Sequence, residues 1–156
     1  MGLLALGGVQ IGNEEEGSTG DSPTILDAGY VEDFDIGEPV RFEDYGFWLV
    51  RLEPQLFVAL VDDDTLPRFS ADDDCAIVWR QDVVILGRAG WFRGSCSGSN
   101  FDRDGTLVSG PSALSMYRFH VELLGSLVLV EVGVPLCPNE YGPRVACPRA
   151  PYAPIP

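Results

Sequence analysis

Four cysteines (75, 96, 137 and 147), a single histidine (His120) and two aspartate triplets (62–64 and 72–74) are the side chains of this 156-residue chain best equipped for metal binding or covalent chemistry. The cysteine spacing matches no zinc signature, and Asp72, Asp74 and His120 are the only further donors on offer to Cys75 and Cys96, so a metal centre is not expected there. The aspartate triplets could collect Ca²⁺ through carboxylate oxygens, but the alternating acidic order and glycine of an EF-hand loop are missing, which favours a solvated acidic edge. Ser97 has no base that the sequence sets beside it, which argues against a nucleophile. His120 reads as a strand residue with a satisfied ring. Trp48, Trp79 and Trp91, each inside an apolar run, read as core.

These residues are carried on short β-branched and aromatic runs broken by Gly, Pro and Asp, at residues 39–42, 47–51, 56–61, 75–80, 83–86, 91–93, 106–108, 117–124 and 127–132. The chain holds 18 glycines and 12 prolines, spread between the runs, which argues for many turns and against long helices. Tyr45-Gly46 and Glu53-Pro54-Gln55 fall where tight hairpin connections are expected, and Gly125-Ser126 suits a two-residue primed turn. Short strands with closely spaced turns predict an all-β fold, an antiparallel sandwich or small barrel.

The chain divides into an apolar N-terminal segment and acidic flexible tether over 1–29, a folded domain over 30–133, and a Pro-rich tail over 134–156 that should run extended over the surface. The apolar opening stretch ends at Ile11, short of the ~20 residues a membrane-crossing helix needs, and lacks a basic leader; it reads as the stub of a longer anchor, a segment that docks on a partner subunit, or a frayed terminus. Net charge is −14, from 24 acidic residues against 10 basic ones, all arginine. That balance argues against nucleic acid, whose phosphates need a basic stripe, and fits solubility or a basic partner.

The stretch from Gly94 to Pro111, with Arg118-Phe119-His120-Val121 after it, resembles a Rieske iron–sulfur domain. That family's second cluster loop reads Cys-Pro-Cys-His-Gly-Ser, followed by an aromatic-Asp pair, a Gly, a Gly-Pro loop and a basic-aromatic-x-Val strand. Gly98, Ser99, Phe101, Asp102, Gly105, Gly110 and Pro111 stand at the matching positions. The first loop, Cys-Thr-His-Leu-Gly-Cys in the quinol-oxidising branch, corresponds to Ser70 through Cys75, so the likeness covers roughly residues 30–132. It implies a Rieske-like antiparallel β fold with a smaller subdomain of the cluster-binding type.

Carried over by position, the four ligands of a Rieske [2Fe–2S] centre, two Cys and two His, become Ser70, Asp72, Gly94 and Ser97. None of the four is a thiolate or an imidazole, so the resemblance implies a domain without its cluster and without a metal or other cofactor. Cys75 and Cys96 fall where the quinol-oxidising branch has a non-ligand disulfide. Such a bond between residues 21 apart would be worth about 3 kcal/mol. Cys137 and Cys147 would then make a second bridge, and two bridges imply an oxidising compartment. The expected role is an accessory subunit, without catalytic activity of its own, of a respiratory electron-transfer complex on the periplasmic or extracytoplasmic face of a membrane. It would contact other subunits or a basic electron carrier, with membrane attachment only through partners or a missing anchor. The alternatives are a redox-active Rieske protein, a small subunit of a nitrite reductase-like enzyme with free thiols, and a module binding a small ligand in the vacated cavity.

Overall fold

Leu49 and Val50 are neighbours in sequence and both fully buried, yet they belong to different cores. Successive strand side chains point to opposite faces, so the wall they sit in must be covered on both sides. This explains why residues 47–50 and 56–61 read as nearly unbroken apolar runs rather than as alternating ones. The computed structural model describes residues 24–64, 75–112 and 114–138, and in them the fold is all-β, as expected.

The described residues form ten strands: β1 (Thr24–Tyr30), β2 (Val40–Phe42), β3 (Phe47–Glu53), β4 (Leu56–Val61), β5 (Ile77–Ile85), β6 (Arg88–Gly94), β7 (Asn100–Phe101), β8 (Leu107–Ser109), β9 (Arg118–Leu124) and β10 (Leu127–Leu136). One six-stranded antiparallel sheet has the order β1-β10-β9-β4-β3-β2, and a four-stranded sheet has the order β5-β6-β7-β8. Leu26 of β1 and Phe42 of β2, on the two outermost strands, pack against the same core, so the large sheet curls round it. That core holds Phe47, Leu49, Ala59, Val128 and Val130, with Phe47 edge-on to Phe119 at 5.7 Å. The second core, between the β3–β4 wall and the small sheet, holds Val50, Leu60, Ile77, Phe92, Phe101 and Met116. Trp91 is buried, while Trp48 and Trp79 pack edge-on against Phe92, so all three tryptophans serve the interior.

The small sheet is an excursion between β4 and β9, which lie side by side in the large one through Leu60↔Arg118 and Phe119↔Ala59. Arg103, in the turn after β7, ties the sheets together. Its Nε donates to the Gly37 carbonyl at 3.0 Å and its guanidinium lies over Trp79.

Several expectations need correction. Among the described residues, β1 already starts at Thr24, ahead of residue 30, and β10 runs on to Leu136, past residue 133. The first difference arises because β1, outermost among the described strands, is held by its ladder to β10 and packs only Leu26 and Ala28, half-buried, against the core, too few to stand out as an apolar run. Gly29, at φ +120°, sits in its bulge. In the second, Pro135 lies beyond Val132, the last residue of β10 that pairs with a described residue of β1, where the missing N–H takes no bond from the described ladder. The two runs expected at 75–80 and 83–86 join in one strand, Ile77–Ile85, because the register shift between Arg80 and Val84 absorbs the polar Gln81-Asp82 step. Among the described residues no helix is long and apolar enough to cross a membrane. Residues 1–23 and most of the expected tail lie outside them.

Candidate functional site

Three chain segments meet at one end of the small sheet: residues 62–64 after β4, residues 94–99 after β6, and the Gly110-Pro111-Ser112 corner after β8. Cys75 and Cys96 are joined by a disulfide there, with their Cα atoms 5.1 Å apart. The strip around Cys75 is hydrogen-bonded on both sides. Asp64 N donates to the Cys75 carbonyl at 2.9 Å and Ile77 N to that of Asp62 at 2.6 Å, while Ser95 N donates to the Ala76 carbonyl at 2.9 Å.

Asp64 organises the loop. Its Oδ2 accepts the backbone N–H groups of Cys96 (2.9 Å) and Ser97 (2.6 Å), and its Oδ1 accepts the Ser97 hydroxyl (2.9 Å). Two successive amides aimed at one oxygen form an anion-gripping concavity, and the anion is supplied from within the chain. Gly94 is needed beside it, since a Cβ at that position would run into the Asp64 carboxylate.

Ser99, fully buried, links this loop to the Gly-Pro corner. Its N–H donates to the Ser97 hydroxyl at 3.0 Å, and its own Oγ accepts the Ser112 N–H at 2.9 Å. Gly110 (φ +112°) passes so close that a Cβ there would lie 2.5 Å from the Ser99 Cα. Phe101 goes into the second core, and Asp102 and Gly105 close a tight turn through Gly105 N to the Asp102 carbonyl at 2.9 Å. Asp102 also holds Arg88 at 3.0 Å.

The structure therefore brings Cys75, Cys96, Gly94, Ser97, Gly98, Ser99, Gly110 and Pro111 to one place. Ser70, Asp72 and Cys147 lie outside the described residues. Cys137 is disulfide-bonded and sits elsewhere, at the rim of a cavity of about 210 Å³ between β4 and β9. The expected solvated edge at 62–64 is corrected. Asp62 is only 9% exposed and pairs with Arg41 at 2.7 Å. Burial pushes its carboxyl above the ordinary value, against the opposing pull of Arg41. Asp64 carried no sequence signal of its own, because the amides it holds lie 32 and 33 residues further on.

As a donor set for a [2Fe–2S] group, the described positions do not fit. Gly94 has no side chain and its side-chain space is filled by Asp64, Ser97 Oγ is committed to Asp64 and Ser99, and both cysteine sulfurs are bonded to each other. The hollow beside Asp64 and Ser112 measures about 20 Å³, room for one water molecule. No family model matches the chain, and no curated protein matches its sequence.

Proposed function

We propose that this chain is a Rieske-like domain that does not hold a cluster and serves as an accessory subunit of a larger extracytoplasmic redox complex, making subunit contacts or receiving an electron carrier. The observation that carries this reading is the Asp64 carboxylate, seated where loop 94–97 converges and grasped by three donors. An internal carboxylate and a disulfide together provide the two links between loops that a metal cluster would otherwise supply. The four-stranded sheet set between β4 and β9 supports the likeness, since the resemblance implies a small subdomain of that kind, with its paired loops at one end. The disulfide supports an oxidising compartment, because thiols in the cytosol are kept reduced. An acidic surface, at net charge −14, suits a basic carrier.

Iron analysis and visible absorption of the purified chain test the first half. Two irons per chain with a brown colour would overturn it. Affinity isolation from membranes tests the second half, with stoichiometric haem- or flavin-bearing subunits as the expected result. Recovery of the chain alone, under conditions that keep such complexes intact, would overturn it. The reductase-subunit alternative predicts four alkylatable thiols, and the Cys75–Cys96 bond weighs against it.

A further inference from the structure

On the face of the β9–β10 hairpin opposite the buried Val128 and Val130, His120, Glu122 and Glu131 converge. His120 and Glu122 are two apart on β9 and so share a face, and Glu131 is paired with His120 across the ladder. His120 Nε2 lies 3.9 Å from Glu122 Oε2, and one ligand atom from each of the three residues falls within 4.8 Å of the other two.

Charge on this face is unbalanced. Among the described residues no arginine comes within ion-pair distance of Glu122 or Glu131, although arginines pair with Asp62, Asp82 and Asp102 elsewhere. Ile25 and Leu129 stand across the ladders from Glu131 and Glu122 respectively, so neither carboxylate faces a basic side chain on its paired strand. The backbone under the ligands is fixed by continuous pairing from His120↔Glu131 to Leu124↔Leu127, with Val128 and Val130 fully buried on the opposite face.

We propose that His120, Glu122 and Glu131 bind a divalent transition-metal ion of the Zn²⁺ class. One imidazole and two carboxylates supply the three protein ligands of an open tetrahedral site, with water in the remaining position. Ligand atoms around such an ion stand roughly 3.4 Å apart. The Glu122 side chain, 69% exposed, is free to swing in and close the difference from the observed spacing. The imidazole separates this site from one for Ca²⁺ or Mg²⁺, which take oxygen ligands in larger number. The site is independent of the accessory-subunit reading and stands or falls without it.

The test is calorimetric titration of the full chain with Zn²⁺, repeated with Co²⁺ while visible absorption is followed. Because His120 is the chain's only histidine, its imidazole ¹⁵N resonances report directly whether the ring is a ligand. One ion per chain is expected, with the ring shifted on saturation. His120→Asn and Glu131→Gln should each weaken binding at least about 10-fold, while Asp72→Asn/Asp74→Asn leaves it unchanged. An unshifted ring, no saturation in the millimolar range, affinity indifferent to His120→Asn and Glu131→Gln, or equal competition by Ca²⁺ would each overturn the assignment.

Discussion

The carboxylate of Asp64 occupies the space that a side chain on Gly94 would need. The two positions are thus coupled, and the coupling is measurable. Gly94→Ala should cost about 1–3 kcal/mol, the usual penalty of forcing a methyl group into filled space. In an Asp64→Ala background the same change should cost much less, giving a double-mutant coupling of at least about 1 kcal/mol by urea denaturation. Additive effects would show that loop 94–97 is not built round the carboxylate.

The disulfide should contribute separately. Cys75→Ser/Cys96→Ser opens a loop of sequence separation 21 and should lower stability by about 3 kcal/mol. Mass spectrometry after alkylation without reductant checks the premise, and a 75–96 linked peptide is expected.

Asp62 and Arg41 supply a pH dependence. Burial raises the folded-state pKa of Asp62 above its unfolded value, so its contribution to stability is fully present below the unfolded pKa and is lost as pH rises through the folded one. Arg41→Met removes the partner that limits the rise. The variant should lose about 1–3 kcal/mol at neutral pH, and its stability should fall more steeply than that of the parent as pH rises above the ordinary carboxylate range. Asp62→Asn should flatten the profile over the same range. Chemical denaturation across the pH series reads both effects.

Leu86 occupies the first position of the two-residue turn between β5 and β6, at φ +54° and 92% exposed, with Gly87 at φ +77° beside it. Both central residues of such a turn need the left-handed region, which suits Asn and Gly and not leucine. Leu86→Asn should therefore stabilise the chain by about 0.5–1 kcal/mol in thermal or urea melts.

Where burial is two-sided or turn chemistry is explicit, the sequence was legible. Residues 47–50 and 56–61 announced strands through apolar density, and Gly125-Ser126 marked the β9–β10 hairpin, with Gly125 at φ +62°. Legibility failed where structure depends on a distant partner. β1 contains Asp27 and Gly29 and carries little apolar signal, because its place is fixed by pairing with β10 a hundred residues later. Asp64 looks like its neighbours in an acidic run, since nothing local shows which carboxylate will meet the amides of Cys96 and Ser97. The Glu131 partner of His120 lies between these cases. The turn at 125–126 sets a register in which those two residues face each other, yet residue types read singly leave His120 isolated.

The excursion that carries the loops leaves the large sheet after Val61 and rejoins it at Arg118, which faces Leu60 directly across the ladder. Departure and return are one strand spacing apart, so the chain enters and leaves the excursion through neighbouring strands of the platform. What the tip does is therefore not dictated by the base, since a fold fixes no particular function.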